Sequence, residues 1–173
     1  MDSIHQVYMA LGFIGISLVL IRWDKKFAGP AAVLYATVCV YVLFGIRNPA
    51  RTARVNLGPF RVLWRAVSFW DGIHIRSRGQ LRIIVLNILL FVPFGYLLPV
   101  LWKKAGRWWR TVLLGFVVSF VVELLQLITR LGMFDVDDVI NNTIGAGVGY
   151  LLYLVLLQTE SGAGNGTQKD TKA

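Results

Sequence analysis

Five stretches of almost unbroken apolar residues organise the chain: Ile4–Ile21, Phe27–Ile46, Ile83–Leu101, Thr111–Ile128 and Val139–Leu157. Each approaches the ~20 residues that an α-helix needs to cross a hydrocarbon layer about 30 Å thick. The pattern predicts an all-α fold, a polytopic membrane bundle of about five transmembrane helices. The polar intervals between the runs are loops one to four. Loop two, Arg47–Arg82, is the longest and contains RVNLGPFRVLWRAVSFWDG. There Pro59 suits a first helical turn, Arg61 and Arg65 fall one turn apart, and apolar and aromatic side chains from Val62 to Trp70 fill most of the rest. Such a segment reads as an amphipathic helix in the membrane interface, its aromatics at headgroup depth. Residues 1–158 form one membrane domain, and Thr159–Ala173, rich in Gly, Thr, Ser and Lys, reads as a disordered polar tail.

Composition excludes the main alternatives. Apolar residues make up 56% of the 173 and charged residues only 16%, against about 25% in an average soluble domain. Mean hydropathy is +0.62, too high for a water-soluble globule or a disordered chain of this size. Cys39 is the only cysteine and lies inside the second run, so no intrachain disulfide can form. His5 and His74 sit outside any liganding pattern, so no metal site and no cofactor are expected, and Ser-His-Asp or Cys-His chemistry has little to work with. The first run lacks a preceding Lys or Arg and a following cleavage site, unlike a signal peptide.

The net charge of +9 matters through its placement. Counting Lys and Arg on the two sides gives a tie, nine against nine. Local asymmetry breaks it. The first run has three cations just after it and none before, the fourth has four before and one after, and all six lysines lie in loop one, loop three and the tail. This predicts an outside N-terminus, a cytoplasmic C-terminus, and loops two and four on the outer face. Because the basic residues flank membrane spans, nucleic acid is not an expected partner, and membrane lipids are. The absence of an internal repeat gives no support to an inverted-repeat transporter.

Several polar residues interrupt the last runs. With Ser119 at zero and about 100° per residue, Glu123 lies near 40°, Gln126 near −20° and Arg130 near 20°, one narrow arc on an apolar cylinder. Glu123 is about 7–8 Å inside the span, tolerable only if it faces protein or water with a partner. In the fifth run Asp138, Asn142, Gly145 and Gly149 share a similar arc, and the small-xxx-small pair favours the fourth helix as neighbour. Asp135 and Asp137 precede it, where a helix N-terminus favours negative charge. Asn87 lies in the third run ahead of Pro93 and Gly95, which can kink it. Two readings compete for this set. Ser119 and Gln126 can be ordinary interhelical hydrogen bonds, Gly145 and Gly149 packing residues, Asp135 a cap and Asp137 a solvated charge, and Glu123, Asp138 and Asn142 a polar network that fixes helix register. Alternatively they line a functional site.

The segments VNLGPF (Val55–Phe60), NILLFVPFGYLLP (Asn87–Pro99), SFVVELLQ (Ser119–Gln126) and DVDDVINNTIGAGVGY (Asp135–Tyr150) resemble the motifs of the VanZ-like membrane protein family. The resemblance implies a multi-pass protein of the bacterial plasma membrane, in a family whose namesake is associated with resistance to the glycopeptide teicoplanin; it names no reaction. The positions that match are Asn56, Pro59, Asn87, Pro93, Gly95, Glu123, Gln126, Asp135, Asp138, Asn142 and Gly145. One departs from pattern: Arg130 precedes the Asp135–Asp138 pair by five residues, with LGMF between, which leaves its pairing with either acid open.

Three functions follow as expectations. The first is a binding protein for an amphiphilic ligand (a lipid, a lipid-linked wall precursor or a lipoglycopeptide), with Asn56, Arg61, Arg65, Asn87, Ser119, Gln126, Arg130, Asp135 and Asn142 as its ligand-binding residues. The second is an intramembrane enzyme acting on a lipid-borne group, with Glu123 as base and Asp138 as acid or, with Asp135, as cation ligand. The third, a proton-coupled transporter, has one deeply placed acid to work with. No activated nucleophile is visible, so binding leads. The topology is checked by cysteine accessibility in intact cells: cysteines placed at Ser77 and Gly79 are expected to label from outside, and one at Thr167 only after permeabilisation. Labelling in the opposite sense reverses the orientation.

Overall fold

The computed structural model describes residues 25–45, 54–59 and 74–166 together with Gly12 and Gly15, and side chains for residues 26–45, 54–59 and 83–157. Apart from those two glycines the first apolar run lies outside the described residues, as do Arg61–Trp70 and both their arginines. Helix α1, Ala28–Val40, follows a 3₁₀ turn at Lys25–Phe27 and continues into a π-helical turn, Tyr41–Gly45. Pro30 falls in its first turn, where a missing N–H costs nothing. A two-residue strand β1, Val55–Asn56, precedes helix α2, His74–Leu101. After a 3₁₀ turn at Lys103–Ala105 come helix α3, Trp108–Thr129, strand β2, Phe134–Asp135, and helix α4, Val136–Gly166. Helix α2, which carries the third apolar run, thus begins well ahead of Ile83, and α4 continues past Thr159, where the sequence places a polar tail. Among the described residues four segments are long and apolar enough to cross a membrane: Ala28–Gly45, Ile83–Leu101, Trp108–Thr129 and Val136–Leu157.

The packing inverts that of a soluble bundle. The buried residues of α3 are Thr111, Gly115, Ser119, Glu123 and Gln126, all small or polar. Its large apolar side chains, Leu113, Phe116, Val117, Val121, Leu124 and Ile128 among them, point outward. Water would expel such a surface, whereas lipid accepts it at no cost, and the interior holds the groups that lipid would reject. The chain is an all-α membrane protein.

With lipid as solvent, burying leucines between helices gains little, so the helices meet through close backbone approach. Gly145 and Gly149 of α4 lie against the carbonyl oxygens of Ile88 and Val92, and Gly95 of α2 against that of Ala146; a Cβ at any of the three would overlap backbone. This corrects the expectation that the Gly145–Gly149 pair faces the fourth run. It faces α2, which runs parallel to α4 and approaches it most closely. The α3 contact lies one residue over, where a Cβ on Gly115 would come within 2.6 Å of the Ala146 Cβ. Helix α1 packs on α2 through Ala28 and Ala31 against Tyr96 and Leu97, and through Tyr35 and Leu43 around Leu90 and Phe91. The Tyr35 hydroxyl donates to the Leu90 carbonyl at 2.9 Å, beside the Leu89 carbonyl that Pro93 deprives of its helical donor.

Gly145→Ala or Gly149→Ala is expected to destabilise the protein at or above the upper end of the ~1–3 kcal/mol typical of overpacking, because the obstruction is backbone. At Gly147, where a Cβ meets only Val112 Cγ2 at 3.8 Å, alanine should be neutral. Thermal unfolding in detergent compares the three, and equal midpoints would contradict the crossing.

Candidate functional site

The polar side chains gather at the end of the bundle that carries loops two and four. There β1 pairs in parallel with β2, Val55 against Phe134 and Asn56 against Asp135, and the Phe134 N–H donates to the Arg54 carbonyl at 3.0 Å. Phe134 is buried and packs edge-on against Phe120 of α3 at 5.6 Å between ring centres, which anchors the pair to the bundle. The run Asn56-Leu57-Gly58-Pro59 closes on itself, the Gly58 N–H donating to Asn56 Oδ1 at 3.4 Å. That turn fixes the amide so that Nδ2 faces away, where it donates to both carboxylate oxygens of Asp135 at 3.0 Å.

Asp135 is the hub. Its Oδ1 also accepts the Asp137 N–H at 2.9 Å, capping α4, and its own N–H donates to Glu123 Oε2 at 3.0 Å. A chain of bonds therefore links loop two, loop four and the middle of α3. Asp138 accepts a 2.5 Å hydrogen bond from Asn87 Nδ2 of α2. Deeper, Asn142 Nδ2 donates to Ser119 Oγ at 2.9 Å. Asn142 Oδ1 is buried and receives no hydrogen bond among the described residues. Gln126 is fully buried, and its Nε2 donates to the Leu43 carbonyl at 3.2 Å, in the π-helical turn where α1 ends.

Helices α3 and α4 are antiparallel, and every four residues up one is four residues down the other. The contacts Gly115–Ala146 and Ser119–Asn142 establish that register, and the next step along it sets Glu123 level with Asp138. Asn87 closes that layer from α2. Measured along α3, the polar column runs about 10 Å inward from Gln126 to Ser119. Buried hydrogen bonds to ionised groups contribute about 1.5–3 kcal/mol each and leave a larger penalty when one partner is removed. Among the described residues no group of three His, Cys, Asp or Glu is placed to hold a metal ion.

Asn56, Asn87, Ser119, Glu123, Gln126, Asp135, Asp138 and Asn142 thus meet within one column. Arg130 does not join them. The helical arc predicted it beside Glu123, but α3 stops at Thr129, and Arg130 turns left-handed at φ 59°, exposed, with its N–H on the Leu127 carbonyl. Asp137 is a second correction. Read as a solvated charge, it is buried at 4% exposure. Sequence reasoning also missed the Leu43 carbonyl that accepts from Gln126, since no residue type marks a backbone acceptor, and it missed the two-residue pairing of β1 with β2, for which the Asn-x-Gly-Pro turn at Asn56 was the one visible clue.

A polytopic helical membrane protein with a carboxylate and amide column at one end is the class these observations define. Residues 32–157 match the VanZ/LLP1 family, and the chain belongs to it. Protein VanZ of Enterococcus faecium is 37% identical over 77 residues, 44% of this chain and 47% of that protein, so the match spans about half the relative's length. No solved structure matches the chain.

Asn56→Asp sets two carboxylates against each other and is expected to cost about 3 kcal/mol or more. Adding Asp135→Asn restores an amide–carboxylate pair with the roles exchanged and should recover part of the loss. A double variant no more stable than additivity allows, measured by thermal unfolding, would show that the pair does not hold the loops together.

Proposed function

We propose that the column at the loop-two and loop-four end binds the polar head of an amphiphilic ligand: a membrane lipid, a lipid-linked wall precursor or a lipoglycopeptide of the teicoplanin kind. Through that binding the protein contributes to glycopeptide resistance or to envelope homeostasis. It acts in the bacterial plasma membrane with this end outside, its N-terminus outside and its C-terminus cytoplasmic. The observation that carries the reading is the buried Asn142 Oδ1, which receives no hydrogen bond among the described residues, below the carboxylates of Glu123, Asp135 and Asp138, each of which already accepts an amide or backbone N–H. Heads built from sugar hydroxyls and peptide N–H groups are donor-rich and match it. Arg61 and Arg65 are proposed to serve the anionic part of the same head.

A second reading rests on the Glu123–Asp138 layer. Two carboxylates at one level across a helix interface suit acid and base roles on a lipid-borne group. Ser119, one turn below that layer, accepts from the Asn142 amide, with no histidine beside it among the described side chains, and this supports binding ahead of covalent catalysis.

Mass spectrometry of amphiphiles that co-purify with the protein tests the proposal. Gln at position 123 keeps an oxygen for the Asp135 N–H while removing the charge. Glu123→Gln is therefore expected to lower ligand retention at least tenfold with the unfolding midpoint nearly unchanged. Loss of stability and retention together would make Glu123 a structural residue only.

A further inference from the structure

The opposite end of the molecule has its own chemistry. All the described side-chain carboxylates, Glu123, Asp135, Asp137 and Asp138, lie at the loop-four end. Loop three, Trp102–Arg110, carries Lys103, Lys104, Arg107 and Arg110, and Glu123 is about 20 Å up α3 from Arg110. That exceeds two Debye lengths in physiological salt, so the acids do not neutralise these cations.

The loop is built so that nothing in it answers them either. Each backbone carbonyl from Trp102 to Gly106 already accepts a hydrogen bond. Trp102 takes the Ala105 N–H at 2.8 Å and Lys103 the Gly106 N–H at 3.1 Å. Lys104 takes Arg110 Nη1 at 2.6 Å, Ala105 the Thr111 hydroxyl at 2.9 Å, and Gly106 the Tyr150 hydroxyl at 2.7 Å. Ala105 is buried beneath. The turn is thus rigid and needs no water for its acceptors, so it can sit in the poorly hydrated headgroup layer. What it shows outward are the exposed side chains of Lys103, Lys104 and Arg107, with the indoles of Trp102 and Trp108 half exposed or more. Arg110 is committed elsewhere, to the Lys104 carbonyl and over the Trp109 ring at 5.1 Å.

We propose that the loop-three hairpin is a binding site for the phosphate headgroup of an anionic phospholipid in the leaflet it faces. Lys103, Lys104 and Arg107 hold the phosphate and its neighbouring negative charge, and Trp102 and Trp108 sit at the boundary with the acyl chains. The site is independent of the acidic column and of the ligand proposed there. An anionic lipid fits better than a zwitterionic one because a choline or ethanolamine head returns a positive charge to a cluster that has no described carboxylate near it.

The test uses the full chain reconstituted in phosphatidylcholine vesicles, with either brominated phosphatidylglycerol or brominated phosphatidylcholine as a minor component quenching tryptophan. The expected preference for the anionic lipid is about fivefold or more, what one fully engaged cation supplies. Lys103→Gln, Lys104→Gln and Arg107→Gln together should bring it close to one, while Lys103→Arg with Lys104→Arg should keep it. In the unaltered protein the preference should fade between ~0.05 M and ~1 M salt, where the Debye length falls to about 3 Å. This second measurement stands even if the triple variant does not fold. Equal quenching by both lipids, a preference that survives the triple change, or one that salt does not move would each overturn the proposal. Relief of quenching by inorganic phosphate at matched ionic strength would overturn it as well, by showing a phosphate site rather than a lipid site.

Discussion

Close approach of α2 and α4 backbones is the constraint on which the rest of this protein depends. Gly95, Gly145 and Gly149 each put a bare Cα against a carbonyl of the other helix, at a distance where dispersion and weak Cα–H···O contacts both act. In lipid such contacts replace the hydrophobic effect as the source of helix association. They also set the axial register. With α2 and α4 locked in parallel, Asn87 reaches Asp138. Ala146, touching both Gly95 and Gly115, carries the register to α3, where Ser119 meets Asn142. The polar column is therefore a product of glycine packing.

The two ends of the bundle treat their polar groups in opposite ways. At the loop-four end carboxylates are held in place by amides from three elements, and Asn142 Oδ1 receives no hydrogen bond among the described residues. At the loop-three end the backbone acceptors are consumed internally and cations face outward. One end keeps its polar groups inside the span, and the other turns its charges outward.

Much of this was legible beforehand. The apolar runs from the second to the fifth locate the spans, because a lipid-facing helix has to be apolar over a length that the bilayer dictates. The spacing of Ser119, Glu123 and Gln126 places them on one buried face, because an apolar cylinder in lipid leaves polar groups no other tolerable direction. Arg130 and Asp137 were misread for two reasons. Helical periodicity holds only while the helix does, and α3 ends just before Arg130 in a left-handed turn that no propensity of Arg announces. Asp137 is buried in the first turn of α4, its N–H held by Asp135 Oδ1, beside a pairing with β1 that brings in a segment some eighty residues earlier.

The sequence by itself determined that this chain lives in a membrane, roughly where it crosses, which family it belongs to, and which residues of α3 turn inward. These follow from local composition and period, which lipid converts directly into structure. Tertiary structure decided which neighbour each inward face meets. The arc of α4 holds two glycines, an acid and an amide, and periodicity alone treats them as one stripe. Sterics divide it. Gly145 and Gly149 lie against backbone carbonyls of α2, where a Cβ would overlap, so they face it with Asp138, while Asn142 turns to Ser119 on α3. The pairing of Asn56 with Asp135 was likewise decided in space, since a hydrogen bond between residues so far apart in sequence exists only after the helices between them have packed.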